Sequence, residues 1–465
     1  MRWLDVLRGM YVKAPAPVKM VASRLIGLFP QNAVYGKSYQ RWREDILRSR
    51  DDPDFTEMRV RSELEDVLAH AMDAPFYAGL AAAEDAADPF AKLKAFPVLT
   101  KEEVRENAPQ MASVPLESLD LVTTSGSSGR PLQVWLDRAR GAREQGFIHN
   151  VWAAAGYQLG DARLVLRGVQ IQNVDKRPME WEPALRELRC SPFHLTDEFM
   201  ATYVEEAERR GIAYVHGYPS AIAILARHIK RTDHPWRLMV RGIFPISEPL
   251  YDEQFALFQD VFSNASVSPF YGMTEKVAFA RGSVDDPTIY EFEPLYGWAE
   301  LVDQKGQSVT EPGQVGRLVA TGFTTKGLPL VRYDTGDDAE LVALPSRDNA
   351  WRLSVTNLQG RRLPEYLVSR EGALISIAAL NVHSTNYLAL SEFLFVQSEP
   401  GFVTLLAVPA PGAEQASIEA YLDEVRKKVG AGIQFDLELR ERIDPGARGK
   451  RRSFKQELDL APYSD

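Results

Sequence analysis

The chain has 465 residues, 45% of them apolar and 25% charged, and a net charge of −10. That length calls for more than one domain, the composition is that of an ordered globular protein, and the acidic balance excludes a general nucleic-acid binder. A single cysteine, Cys190, excludes an internal disulfide and a cysteine-rich zinc site, fits a reducing cytoplasm, and reads as an inert buried thiol.

No apolar run reaches the length of a membrane span. Residues 1–30 carry Arg2, Arg8, Lys13, Lys19 and Arg24 against Asp5, interleaved with Trp3, Leu4, Val6, Leu7, Met10 and Tyr11. A basic amphipathic helix of this kind can make weak contact with an anionic membrane surface, peripheral to the inner membrane, or pack on the protein's own body. Its modest length favours packing. Residues 35–80 read as helical, with a stripe through Leu64, Val67, Leu68 and Ala71 that Ala74-Pro75-Phe76-Tyr77 brings to an end. From Phe96 to Glu103 the chain reads as a turn and a helix start. Thr100 can cap, and Glu103 stands three residues on, as in a capping box.

The apolar run Leu119-Asp120-Leu121-Val122 leads into Thr123-Thr124-Ser125-Gly126-Ser127-Ser128-Gly129-Arg130-Pro131. Hydroxyls and backbone N–H groups in such a loop can converge on one anion, because glycine permits close approach. Phosphate is the obvious candidate, and a flexible surface loop is the alternative. It is not a Walker loop, since no Gly-Lys-Ser/Thr opens a following helix.

Strand and helix patterns then alternate. Residues 163–171 read as extended, 200–210 as a helix, 213–215 as a short strand and 219–229 as a helix opened by proline. Residues 238–246 read as extended, 249–262 as helical and 267–271 as extended again. Such repetition implies a parallel sheet in an α/β layer, whose ligands collect where strands end, so the segments after Phe244 and Phe270 carry the interest. From Val277 to about Leu358 short strands and turns suggest a β subdomain. Beyond, residues 392–396, 403–408 and 435–439 read as extended and 416–429 as a helix stopped by Gly430. The expected fold class is α/β: a large N-terminal domain over 1–360 with parallel-containing sheets and a β subdomain, and a small α+β lid over 361–465.

Four later segments accompany the Ser/Gly loop: Ile246-Ser247-Glu248-Pro249, Tyr271-Gly272-Met273-Thr274-Glu275, Arg332-Tyr333-Asp334-Thr335-Gly336-Asp337 and Gly449-Lys450. In this order they resemble the adenylate-forming superfamily of acyl-CoA ligases, luciferases and peptide-synthetase adenylation domains. The phrases Phe96-Pro97-Val98-Leu99-Thr100-Lys101 and Leu328-Pro329-Leu330-Val331-Arg332-Tyr333 are similar to the phenylacetate–CoA ligase group. Tyr35-Gly36-Lys37-Ser38-Tyr39 resembles the branch found with capsule and exopolysaccharide genes.

The resemblance implies ATP-dependent formation of an acyl-adenylate from a carboxylic acid, with pyrophosphate released, and then acyl transfer. CoA is the expected acceptor; an amine or hydroxyl in surface-polysaccharide assembly, or a nucleotide-binding scaffold without turnover, are the alternatives. By motif match, Thr123, Thr124, Ser125, Gly126, Ser127, Ser128 and Gly129 would hold the β- and γ-phosphates. Glu275 would ligate Mg2+, a hard cation suited to carboxylate and phosphate oxygens. Thr274 would bond the α-phosphate, while Tyr271, Gly272 and Met273 on one side and Ser247, Glu248 and Pro249 on the other would flank the base. Asp337 would accept from the ribose hydroxyls, and Arg361 would contact ribose or phosphate beside the hinge.

Lys450 would be the mobile lysine that bridges carboxylate and α-phosphate; among Arg440, Arg442, Arg448, Arg451 and Arg452 it can also be one charge of a solvated basic edge. His216, Tyr218, Phe244 and Met273 fall where the family builds its acid cavity, and each can equally be core. Two stretches depart from the family's phrasing. Arg361-Arg362-Leu363-Pro364-Glu365 lacks the usual paired acids, and Glu275 is followed by Lys276-Val277-Ala278 rather than Gly-Pro, which argues against phenylacetate as the acid.

Overall fold

The computed structural model describes residues 23, 25–26, 31–80, 86–123, 132–171, 173–283, 286–360, 366–380, 385–443 and 453–463. Two helices open the described chain, α1 (Gln31–Asp51) and α2 (Pro53–Met72). The sequence reads there as one helix. The break falls at Asp52, whose carboxylate accepts from Phe55 N at 2.9 Å and caps α2, and Pro53 takes the first helical position, where no N–H is needed.

Helix α3 (Lys101–Met111) begins on the expected capping box: Glu103 N donates to Thr100 Oγ1 at 3.2 Å, and Thr100 N to Glu103 Oε2 at 2.7 Å. Replacing Thr100 by alanine is expected to cost about 1 kcal/mol. The urea midpoint should fall with no change in the slope of the transition.

The Ser/Gly loop connects a hairpin that the sequence reading did not draw, β1 (Asp120–Thr123) against antiparallel β2 (Gln133–Leu136). Helix α4 (Gly141–Ala153), also unanticipated, follows. The α/β layer is then a six-stranded sheet of β3 (Arg163–Leu166), β4 (Met179–Glu182), β5 (Glu187–Cys190), β6 (Tyr214–Gly217), β7 (Gly242–Pro245) and β8 (Ser266–Val267). Its order is β4-β5-β3-β6-β7-β8, with β4 antiparallel at the edge and the rest parallel. Helices α5 (Asp197–Arg209), α6 (Pro219–Thr232) and α7 (Asp252–Val261) supply the crossovers.

The extended stretch expected over 267–271 is divided between two sheets. Ser268 N still donates to Ile243 O at 2.9 Å, but Pro269 has no N–H to continue the ladder. The chain therefore leaves the parallel sheet and enters a seven-stranded antiparallel one: β9 (Phe270–Gly272), β10 (Phe279–Gly282), β11 (Tyr290–Phe292), β12 (Gly297–Val302), β13 (Val315–Gly322), β14 (Tyr333–Ala343) and β15 (Ser354–Gly360). Its order is β12-β13-β14-β15-β11-β10-β9. This sheet and the N-terminal helices enclose one apolar core, through Leu64, Val67, Phe147, Tyr296 and Leu330.

After residue 360 comes the smaller α+β part. A hairpin, β16 (Tyr366–Val368) and β17 (Leu374–Ser376), precedes a four-stranded sheet of β18 (Leu390–Glu399), β19 (Phe402–Pro409), β20 (Gln434–Leu439) and β21 (Phe454–Gln456). Helix α8 (Gln415–Val429) crosses it and stops at Gly430, whose φ of +78° favours glycine. The second apolar core is continuous between this part and the parallel sheet, with Leu164, Val215 and Ile222 joining Ile375, Ala379 and Phe395. Cys190 is buried within it, and burial raises its thiol well above the ordinary value, as an inert role requires.

No helix among the described residues is long and apolar enough to cross a membrane. Most of the basic N-terminal segment lies outside the described residues. At Ser23 it is packed on the protein, where the hydroxyl meets Glu182 and accepts from Ala184 N at 3.1 Å.

Candidate active site

Parallel sheets expose strand ends and helix starts along one edge, and here β7 and β8 finish side by side on that edge. Ile246-Ser247-Glu248 follows β7. Residues 270–275, carried by β9, follow β8. Thus two of the sequence motifs are brought to the same edge of the sheet.

The firmest geometry links β9 to β14. Tyr271 Oη donates to Asp337 Oδ2 at 2.7 Å, and Tyr333 Oη donates to Glu275 Oε1 at 2.9 Å. Each segment therefore supplies one phenol and one carboxylate, and the two hold each other reciprocally. Both phenols are raised well above their ordinary value, by burial first and by the neighbouring carboxylate second, so both stay protonated donors. Glu275 is only 4% exposed, and Lys101 Nζ stands 3.9 Å from its Oε1. Gly336, at φ +86°, turns the β14 backbone between Thr335 and Asp337. Thr335 Oγ1 in turn donates to Leu318 O at 2.9 Å, which ties the turn to β13.

Two glycines explain how the chain after Glu275 lies flat on the sheet. Gly297 on β12 pairs with Gly322 on β13. A Cβ on Gly297 would stand 2.1 Å from Val277 O, and one on Gly322 would stand 2.9 Å from Val277 Cα. The bare backbone is thus the floor over which residues 276–277 pass. Lys276, at φ +60°, anchors the turn by pairing with Glu144 of α4.

Lys101 is the contact that sequence reasoning missed. In the sequence it reads as the first residue of a helix. Leu99 bridges β14 in parallel, its N–H donating to Arg332 O at 2.9 Å while Asp334 N donates to Leu99 O at 2.8 Å, and this sets the start of α3 beside Glu275. Its signal lay in the Val98-Leu99-Thr100-Lys101 phrase, but nothing local says what the lysine faces. Tyr333 was missed as a site residue for the same reason.

The remaining candidates have diverse surroundings. Ser247 is exposed and sits at φ +69°, left-handed geometry for a residue with a side chain; Pro249 is exposed as well. Glu248 is engaged structurally: Ser220 N donates to its Oε2 at 3.1 Å, Ser220 Oγ to its Oε1 at 3.0 Å, and Ser376 bonds it from beyond residue 360. Burial raises its carboxyl above the ordinary value. Gly272, Met273 and Thr274 form the partly open turn between Tyr271 and Glu275.

His216 and Phe244 stand opposite each other on β6 and β7. His216 Nδ1 meets Phe244 O at 2.9 Å, while Trp152 lies 5.0 Å from the imidazole and stacks on Phe244 at 4.9 Å, centroid to centroid. Tyr218 Oη accepts from Gly168 N at 3.0 Å. Thr123 is buried at the end of β1. Thr124, Ser125, Gly126, Ser127, Ser128, Gly129, Arg361 and Lys450 lie outside the described residues.

No family model matches the chain. Among curated proteins it is similar to protein CapK of Staphylococcus aureus, 24% identical over 373 residues that cover 78% of this chain and 80% of CapK. The phenylacetate-coenzyme A ligase of Pseudomonas putida is 26% identical over 284 residues, 54% of this chain and 57% of the ligase. Among solved structures, 2-hydroxyisobutyryl-CoA ligase in its postadenylation state with R3-HIB-AMP superposes with a TM-score of 0.52 at 18% identity, covering 88% of this chain and 91% of the other. The chain therefore shares the fold of that ligase: a large mixed α/β domain followed by a smaller α+β domain. In sequence the chain is similar both to CapK and to phenylacetate-coenzyme A ligase.

Proposed function

We propose that the chain is an ATP- and Mg2+-dependent enzyme that activates a carboxylic acid as its acyl-adenylate and then transfers the acyl group, with CoA as acceptor. The observation that carries this reading is the reciprocal clasp of β9 and β14, which holds Glu275 and Asp337 as two fixed carboxylates at the edge where the parallel sheet ends. Asp337 is suited to accept from a vicinal diol, since a carboxylate has several lone pairs and Tyr271 uses one. Tyr271 forms the adjoining wall for the base.

Glu275 suits a metal that arrives on phosphate oxygens. Mg2+ of this kind takes one or two carboxylates, and among the described residues no group of three His, Cys, Asp or Glu could hold a metal by itself. When bound, the metal would withdraw charge from the phosphates. Lys101 and Tyr333 fix the Glu275 carboxylate so that it needs no rearrangement on binding.

The division of labour then follows the family resemblance. The loop from Thr123 to Gly129 receives the terminal phosphates, Thr274 the α-phosphate, and Ser247 to Pro249 with Arg361 complete the nucleotide site. The smaller domain, from residue 361 onward, brings Lys450 to the carboxylate and α-phosphate and then turns to admit the acceptor. Positioning and charge neutralisation suffice for this in-line displacement. The likeness to 2-hydroxyisobutyryl-CoA ligase, itself solved with 2-HIB-AMP and CoA in a thioesterification state, supports the order of steps. The Tyr35 to Tyr39 phrase, which resembles the branch found with capsule and exopolysaccharide genes, supports an amine or hydroxyl of surface-polysaccharide assembly as the second choice of acceptor.

Pyrophosphate release with Mg-ATP across aryl, fatty and hydroxy acids tests the reading. An acid-dependent signal is expected, reduced on the order of a hundredfold to a thousandfold in Lys450→Ala. Tight ATP binding with no pyrophosphate from a broad panel would instead favour a scaffold without turnover. Thioester formation with CoA, against amide or ester without it, decides the acceptor.

A further inference from the structure

Strand order in the parallel sheet reverses at β3: β5 and β4 lie on one side of it, and β6, β7 and β8 on the other. A reversal of this kind opens a crevice beyond the carboxyl ends of the strands that flank it, where open α/β sheets take their ligands. The nucleotide motifs follow β7 and β8, so the crevice of β3 and β6 lies farther along the same edge. Its rim is drawn together. Gly168 N donates to Tyr218 Oη at 3.0 Å, and Tyr218 N donates to Leu166 O at 3.0 Å. Gly217 permits this approach, since a Cβ there would stand 2.4 Å from Leu166 O.

Aromatic rings fill the layer directly beneath. His216 and Phe244 are paired across β6 and β7, and each stands one residue before the end of its strand. Trp152 of α4 stacks on Phe244, with 10° between the planes and 4.9 Å between centroids, and its ring lies 5.0 Å from that of His216. Tyr157 stands edge-on to Trp152 at 5.2 Å and to Phe244 at 6.1 Å, and Tyr214 stacks on Phe244 at 5.8 Å. The Arg163 guanidinium lies 4.9 Å from the centre of the Trp152 ring. All five rings are buried, so the indole is held by stacking rather than free to swing. One residue of strand is about 3.3 Å long, so the aromatic wall begins about two carbon–carbon bonds below the edge.

We propose that the crevice of β3 and β6 receives the side chain of the acid and that Trp152 sets its length, so that the acid activated is short, with only a few carbons beyond its carboxyl group. This inference rests on the acyl-activating reading and narrows its substrate class. A tail that enters between α4 and the sheet meets the stacked pair of Trp152 and Phe244 after the first carbons. Fatty and aryl acids are turned away because close-packed rings do not yield a methylene's worth of space without strain.

ATP–pyrophosphate exchange without CoA tests the proposal on straight-chain and hydroxylated acids from acetate to octanoate, with benzoate and phenylacetate beside them. In the wild type, kcat/KM is expected to fall about tenfold or more at the first methylene that meets the indole. Trp152→Ala and Trp152→Leu should move that cut-off to longer acids and raise kcat/KM for them about tenfold above the wild type. A gain on long acids is a readout that lost packing alone would not produce. Where Trp152→Ala does not fold, Trp152→Leu and Trp152→Phe, which keep an apolar side chain in the layer, carry the comparison. A wild type that prefers octanoate or an aryl acid overturns the proposal. So does a cut-off that stays in place in the folded Trp152 variants, which would leave the indole a core residue only. If ATP binds but no acid supports exchange in the wild type or the variants, the acyl-activating reading falls and this inference falls with it. Exchange that is indifferent to chain length leaves that reading intact and refutes this one.

Discussion

Replacing Glu275 by glutamine is expected to lower acid-dependent pyrophosphate release by about a hundredfold or more, the scale on which loss of a metal's outer-shell partners is already felt. The substitution isolates charge from shape. Glutamine fills the same volume, and its carbonyl oxygen can still accept from Tyr333 Oη, which now lies 2.9 Å from Glu275 Oε1. The stability of the protein should therefore be nearly unchanged. What disappears is the anionic oxygen that the proposed function assigns to the metal, and with it the counter-charge beside Lys101 Nζ. A magnesium titration is the deciding measurement: the concentration for half-maximal release should move upward in the variant. Wild-type rates at every magnesium concentration would remove Glu275 from the proposed metal site.

Gly297→Ala is expected to cost about 3 kcal/mol, at the upper end of what overpacking does. The added methyl would stand 2.1 Å from Val277 O and 2.8 Å from Thr321 O. Both obstacles are backbone atoms, one on the neighbouring strand and one in the segment that follows Glu275, so no side-chain rotation relieves the overlap. The segment must lift off the sheet, and Glu275 must move with it. The urea midpoint should drop, and the surviving folded protein should also lose activity because its carboxylate is displaced. A midpoint equal to that of the wild type would show that the segment does not depend on the Gly297–Gly322 floor. Gly322→Ala, whose closest approach is 2.9 Å to Val277 Cα, should act in the same direction and more mildly.

These two sites differ in how far they could be read from the chain. Glu275 belongs to a five-residue phrase whose neighbours in sequence are also its neighbours in space, so its candidacy was visible. Gly297 is an ordinary strand glycine until the crossing of residues 276–277 is known. Lys101 is intermediate. The Thr100 cap beside it follows from local spacing, whereas its position 3.9 Å from Glu275 depends on Leu99 pairing with β14. Tyr333 stands in a motif that was recognised, yet its phenol was given no part.

The sequence by itself determined what arises within a few residues. Thr100 and Glu103 set a helix start because their reach is one turn, Gly430 stops α8 because of its positive φ, and Pro219 opens α6 because its missing N–H is harmless there. Alternating strand and helix patterns determined the α/β layer, and five motifs in order carry a resemblance to the adenylate-forming superfamily. Tertiary structure alone decided which side chains meet. Tyr271 and Asp337 are 66 residues apart and Tyr333 and Glu275 are 58, and both contacts join segments whose strands do not pair with each other, since β15, β11 and β10 stand between β14 and β9 in the sheet. The physical reason is that a strand's own pattern records which face it buries, not which distant segment the twist of the whole sheet brings against it. The second apolar core depends on a still larger step, the docking of the smaller part on the parallel sheet, which no periodicity in either segment records.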